Sequence, residues 1–219
     1  MEDFYKLLTE YNKLVPQDVH RPEWHKIYCS FPMPIYLNIL LKQLESLDRN
    51  LTIIEIGSGF GDVLVMLIHM GFKNIIGFER DATACKIANK KIQKFFKTDK
   101  EFVTCAEYPV ELNYTPDIYI QINNVYIDSL STKDEYMNRI KNWIHYNGIP
   151  KYTFIEFIDS SYTEKSNHYP NFIRLSKDEV KHMFSDFYVK SFKTYEYPKN
   201  TSSKCLYKLS KKPINKFLE

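Results

Sequence analysis

Leu51-Thr52-Ile53-Ile54-Glu55-Ile56-Gly57-Ser58-Gly59-Phe60-Gly61-Asp62 is the stretch on which the reading of this chain turns. Residues 51–56 form a short apolar run of the kind that makes a buried strand. Three glycines at alternate positions follow, and Val63, Leu64, Leu67 and Ile68 then fall at helical spacing. Glycines between a strand and a helix allow a tight turn and let the backbone come close to a ligand, while the helix behind them offers unpaired N–H groups. The spacing is G-x-G-x-G behind an acid. It is neither the G-x-G-x-x-G of a dinucleotide turn nor a P-loop, since no Gly-Lys-Ser/Thr follows.

Outward from this turn, apolar spacing continues to alternate between the two periods. Residues 74–78 read as a second buried strand, residues 101–105 as a third, 118–122 as a fourth and 152–158 as a fifth. Ala84, Ile87, Ala88, Ile92, Phe95 and Phe96 mark a helix after the second strand, and Tyr136, Met137, Ile140 and Ile144 another before the fifth. Ser176 and Glu179 form a capping box ahead of Val180, Met183 and Phe184. Residues 187–197 and 204–210 read as a paired hairpin. Upstream, Phe4, Leu7, Leu8, Tyr11, Leu14 and Val15 keep helical spacing, residues 16–34 are broken by prolines, and Ile35, Ile39, Leu40, Leu44 and Leu47 restore a helix. Strands alternating with helices imply an α/β fold, a mostly parallel seven-stranded sheet with helices on both faces and an antiparallel C-terminal hairpin. Residues 1–48 are expected to form an N-terminal helical lid on a ligand-binding domain of residues 49–219, the whole being one compact domain.

The bulk numbers fit such a domain. The 219 residues suffice for one buried core, and hydrophobic and charged contents of 44% and 26% are ordinary for a globular chain. A net charge of +3 without a dense basic arm does not point to nucleic acid. The four cysteines, Cys29, Cys85, Cys105 and Cys205, show neither CxxC nor metal-ligand spacing, so no disulfide framework or metal site is expected. The first residues do not read as a signal peptide, and no apolar run approaches the roughly 20 residues of a membrane span. A cytoplasmic location is expected.

The acid-x-G-x-G-x-G pattern, matched by Glu55, Gly57, Gly59 and Gly61, resembles the first motif of the class I S-adenosylmethionine-dependent methyltransferases, which have a Rossmann-like fold. In that family the second strand ends in an acid that grips the ribose hydroxyls. Here Ile-Ile-Gly-Phe-Glu79 supplies it, near the offset of about 20 residues at which an acid reaches a ribose in Rossmann-type folds. The resemblance extends more loosely over residues 35–210. It implies S-adenosyl-L-methionine as cofactor and an adenine contact by the turn after the third strand, at Ala106 and Glu107.

Methyl transfer is an in-line displacement at a sulfonium carbon, so the sequence need not display a nucleophile. Ligands of such sheets gather at the carboxyl ends of the strands. After the fourth strand, this singles out Asn123 on the cofactor side and Asn124 and Tyr126 on the substrate side. Glu156 lies in an apolar run near the end of the fifth strand, where a carboxylate is either paired or faces a cleft. With His25 and His168 it is a candidate acid or base. His20, Arg21 and Tyr28 in the proline-broken segment are candidate substrate residues, since segments before the first strand often form lids in the family. The leading expectation is an enzyme that methylates oxygen or nitrogen of a small polar metabolite, a sugar or a phosphorylated compound among them. The alternatives are an RNA or protein methyltransferase and a non-catalytic cofactor-binding protein. A nicotinamide-dependent oxidoreductase is disfavoured by the glycine spacing.

Overall fold

The computed structural model describes residues 2–17, 34–163, 165, 169–197 and 201–211. They belong to two compact units, Met1–Val110 and Glu111–Glu219.

The first unit runs α1 (Glu2–Asn12), α2 (Ile35–Leu44), β1 (Thr52–Ile56), α3 (Asp62–His69), β2 (Asn74–Glu79), α4 (Ala82–Phe96) and β3 (Val103–Cys105). Its strands are parallel in the order β3-β2-β1, with Thr52 opposite Asn74, Ile56 opposite Phe78 and Glu79 opposite Cys105. Parallel neighbours need a crossover, and α3 and α4 supply it. Ile53, Ile54, Ile56 and Phe78 are buried with Leu64, Leu67, Ala88 and Ile92. Gly77 stands in the middle of β2, where a strand would ordinarily carry a side chain. A Cβ there would collide with Ser58 Oγ and come within 2.9 Å of Leu64 Cδ1, so the bare backbone is what lets the glycine turn and α3 settle onto the strand.

Helix ends follow local chemistry. The Asp81 carboxylate accepts from Ala84 N at 2.7 Å and starts α4, and Lys97 closes it in the left-handed conformation. α1 stops at Asn12, and the apolar spacing that runs on to Val15 belongs to a hydrogen-bonded turn. β3 begins at Val103, two residues later than its apolar run suggested; Gly77 N of β2 donates to Phe102 O, and a side chain from α4 takes up backbone groups at the strand's start that β2 does not. Buried Asn89 accepts from Phe102 N and Val103 N, both at 2.9 Å, and donates to Val103 O at 2.8 Å.

The second unit runs β4 (Ile118–Gln121), α5 (Lys133–His145), β5 (Tyr152–Asp159), β6 (Arg174–Leu175), α6 (Lys177–Met183), β7 (Phe187–Tyr197) and β8 (Thr201–Lys211). β4 and β5 are parallel. β8 lies antiparallel to β5, and β7 antiparallel to β8. The short β6, which the sequence did not reveal, pairs with Ile158 and Asp159, the last two residues of β5. β5 is buried along residues 153–158, as its unbroken apolar run implies. Its Phe157 meets Tyr136 of α5 and Tyr207 of β8 at ring-centroid distances of 6.4 and 5.7 Å. Capping boxes start α5 (Thr132 with Glu135) and α6 (Ser176 with Glu179), and Lys133 Nζ joins the two helices through Glu179 Oε1 at 2.7 Å. No described helix is long and apolar enough to cross a membrane.

Replacing Asn89 by leucine, of similar size, leaves two buried N–H groups and one carbonyl without partners. Destabilisation of about 2–4 kcal/mol is expected, read as a lower midpoint in chemical or thermal unfolding. An unchanged midpoint would show that these three bonds add no net stability.

Candidate functional site

The turn between β1 and α3 is made of conformations that side chains resist. Gly57, Gly59 and Gly61 have φ of +72°, +52° and +83°. Gly57 N and Ser58 N both donate to Phe78 O, at 2.8 and 3.1 Å, so the turn is pinned to the end of β2. A Cβ on Gly61 would lie 2.8 Å from the Tyr11 hydroxyl oxygen and 3.3 Å from Ala88 Cβ. The third glycine therefore also makes room for α1, whose Tyr11 hydroxyl donates to Phe60 O at 2.7 Å.

Glu79, the last residue of β2, reaches back over this turn. Its Oε2 accepts from Gly59 N at 2.8 Å and its Oε1 from Asp81 N at 2.9 Å. Each carboxylate oxygen carries two lone pairs, so neither is saturated by one backbone donor. Ala106 N donates to the Glu79 carbonyl at 2.9 Å, which brings the residues after β3 alongside; Ala106 is half-buried and Glu107 exposed. Glu55, the three glycines, Glu79 and Ala106, singled out in the sequence, thus gather at one end of β1, β2 and β3.

The sequence reading missed the polar groups that support this turn. Asp62 and Lys91 are buried, and Lys91 Nζ stands 3.9 Å from the Tyr11 ring centroid, 3.5 Å from Asn12 Oδ1 and 3.4 Å from Phe60 O. Lys91 thus supplies positive charge beside the buried Asp62 carboxyl. Burial raises the Asp62 carboxyl, with Lys91 and Asn12 opposing the rise. Burial likewise pushes Glu55 up to about 8; the Ser58 side chain opposes this and the charges of Asp62 and Glu79 reinforce it. Glu55 Oε2 and Asp62 Oδ1 make no hydrogen bond among the described residues.

In the second unit, Asn123 lies just past the carboxyl end of β4 with a left-handed φ of +57°. Its N–H donates to Glu156 Oε2 at 3.2 Å, and the Thr194 hydroxyl donates to Glu156 Oε1 at 2.5 Å. Lys204 Nζ is 3.7 Å from Glu156 Oε2 and donates to Asn123 Oδ1 at 2.8 Å. Glu156 is thus a buried, paired acid, one of the two situations its apolar surroundings allowed. An ammonium only donates, so Asn123 must turn its carbonyl oxygen toward Lys204 and leave its NH2 for other partners. Asn124 Nδ2 donates to Ile122 O at 3.3 Å, and Tyr126 is buried edge-on against Trp143 at 4.9 Å. Buried Arg174 holds the start and end of the segment after β5 through the carbonyls of Tyr162 and Tyr169. Thr194 and Lys204 were missed because they reach Glu156 and Asn123 from β7 and β8, far along the chain. His20, Arg21, His25, Tyr28 and His168 lie outside the described residues.

No protein-family model matches the sequence, and no curated protein matches it. Solved structures do. Magnesium protoporphyrin IX methyltransferase from Synechocystis, solved with bound SAM, aligns over 96% of this chain and 98% of its own, at 11% identity and a TM-score of 0.63. The methyltransferase domain of bacterial CtHen1 aligns over 82% of this chain and 98% of its own, at 13% identity and a TM-score of 0.58. This chain has the fold of the class I S-adenosylmethionine-dependent methyltransferases. TehB from Haemophilus influenzae, at 13% identity and a TM-score of 0.58, covers 86% of this chain, which covers 66% of it. In a methyltransferase fold the glycine turn, Glu79 and the Ala106 turn occupy the carboxyl ends of three adjacent parallel strands, where ligands of open α/β sheets bind.

The folded chain keeps the Glu55 proton up to about pH 8, whereas the unfolded chain releases it near the ordinary value of 4.5. A raised carboxyl favours the folded state at low pH, and that advantage is lost as pH rises from about 4.5 through 8. Glu55→Gln removes the titration. The stability of the variant relative to the parent should therefore rise by at least about 2 kcal/mol between pH 5 and pH 9 in urea unfolding. A difference that does not vary with pH would mean that Glu55 is ionised in the fold at neutral pH.

Proposed function

We propose that this chain binds S-adenosyl-L-methionine and transfers its methyl group to oxygen or nitrogen of a small polar molecule. The observation that carries the reading is the Glu79 carboxylate, tethered by Gly59 N–H across a turn of three left-handed glycines, with a lone pair to spare on each oxygen. Two adjacent acceptors suit the two vicinal hydroxyls of a ribose.

The remaining groups fit the rest of that cofactor. Glu55 Oε2 is buried and makes no hydrogen bond among the described residues, and an ammonium brought to it would draw off the proton that burial retains. The N–H groups at the start of α3 suit a carboxylate, and the residues at Ala106 and Glu107 suit the adenine edge. When bound, the cofactor supplies a sulfonium methyl group open to in-line displacement. The chain's own part is to hold the acceptor in line with that methyl and to exclude water. Asn123, pinned through Glu156 and Lys204, offers its amide NH2 on the cofactor side. Glu156 then serves by holding Asn123 rather than by taking a proton. A base, where the acceptor requires one, falls to His25 or His168. The substrate side is assigned to His20, Arg21, Tyr28, Asn124 and Tyr126.

RNA is the second reading, since the small RNA methyltransferase HEN1 shares the fold over 82% of this chain, at 12% identity. Transfer of radiolabelled methyl from S-adenosylmethionine to a small-molecule extract, against transfer to total RNA, separates the two. For the cofactor, isothermal titration with S-adenosylhomocysteine should show binding that Glu79→Ala weakens by about 1–3 kcal/mol, the worth of hydrogen bonds to a charged acceptor. Equal affinity in the variant would remove Glu79 from the site, and silence in both proteins would overturn the enzyme reading.

A further inference from the structure

Cys85 and Cys105 are widely spaced in the sequence and match no cysteine motif, yet both converge on Glu79. Cys85, in the first turn of α4, donates its Sγ–H to the Glu79 carbonyl at 3.1 Å. Cys105, the last residue of β3, is the strand partner of Glu79 in the parallel register. Its neighbour Ala106 donates to the same carbonyl. The two cysteines thus flank one residue, Glu79, and Cys105 is among the groups that raise the Cys85 thiol. Both cysteines are free; Cys85 is buried and Cys105 exposed.

The two sulfurs differ in a way that divides the chemistry between them. Burial, the neighbouring Cys105 and the charges of Glu79 and Asp81 push the Cys85 thiol up to about 12, so it is a poor first target for an oxidant. Cys105 is the sulfur that solvent reaches. An accessible thiol beside a second one that can resolve it is the arrangement of a reversible oxidation site.

We propose that Cys85 and Cys105 form a redox modification site, closing to a disulfide that loosens the seat Glu79 provides. The oxidant is a hydroperoxide. The Cys105 thiolate attacks one peroxide oxygen, giving the sulfenic acid and, for hydrogen peroxide, hydroxide. The Cys85 sulfur then attacks the Cys105 sulfur, the S–O bond breaks, and water leaves with the Cys85 proton. A dithiol reverses the reaction by exchange. Closing the disulfide removes the thiol donor from the Glu79 carbonyl and draws the first turn of α4 against the end of β3. The Glu79 carboxylate depends on that same backbone, since one of its two anchors is the N–H of Asp81, the cap residue of α4. The effect on a ligand rests on the cofactor reading above, whereas the disulfide does not.

The full chain, treated with hydrogen peroxide and then alkylated, is digested without reduction and mapped by mass spectrometry. Isothermal titration with S-adenosylhomocysteine is run on reduced, oxidised and re-reduced samples. A cross-linked Cys85–Cys105 peptide is expected in the parent and in neither Cys105→Ser nor Cys85→Ser. Affinity should fall at least about fivefold on oxidation, return with dithiothreitol, and stay constant through the cycle in Cys105→Ser. Oxidation of Cys105 to the sulfinic acid without the cross-link would overturn the proposal, and a cross-link that leaves affinity unchanged would overturn its link to Glu79. If the reduced chain does not bind S-adenosylhomocysteine, the cofactor reading fails, while the cross-linked peptide still decides the thiol pair.

Discussion

One backbone N–H, that of Gly59, donating to the Glu79 carboxylate, ties the turn after β1 to the end of β2, and the first unit is arranged so that this bond can form. It needs Gly59 in a left-handed conformation, which a side chain would resist. It needs β1 and β2 in parallel register, so that both strands end at the same edge. It needs no side chain at residue 77, since a Cβ there would push Ser58 and Leu64 away. The second anchor of Glu79, Asp81 N–H, comes from the residue that caps α4. A carboxylate fixed from both sides has its ordering entropy met by folding.

Charge burial is the cost of this design. Glu55 and Asp62 sit in surroundings that disfavour ions, with Lys91 acting on Asp62, and both carboxyls are displaced toward their protonated forms. Lys91 also meets the Tyr11 ring, Asn12 and the Phe60 carbonyl, so α1 is part of the machinery of the turn. Breaking such a buried cluster is expensive even where forming it gained little. That places the N-terminal helix under the same constraint as the glycines.

The second unit repeats the principle with other groups. Asn123 is held in a left-handed conformation by a buried carboxylate that also receives a hydroxyl and an ammonium. Strained backbone persists where its surroundings over-determine it, and such places are often functional. Because β8 runs antiparallel to β5, the start of β8 comes to the carboxyl end of β5, which is how Lys204 arrives at Asn123.

Much of this was readable before any coordinates. The strand, three-glycine turn and helix at residues 51–68, the acid at residue 79, the capping box at Ser176 and the closing hairpin all rest on spacings within a few residues. Within that range, periodicity and backbone sterics are strong and context intrudes little. Some boundaries moved by a residue or two, and at the start of β3 the Asn89 side chain takes up the Phe102 and Val103 backbone groups. Other features were not encoded at that range. Nothing near Tyr11 says that its hydroxyl will meet Phe60, nothing near Glu156 names Thr194 and Lys204 as its partners, and nothing in the cysteine spacing brings Cys85 and Cys105 to one carbonyl. These contacts join residues far apart in the chain, and their geometry exists once strand order and register have been chosen by packing of the whole, a cooperative outcome that no short window of residues contains.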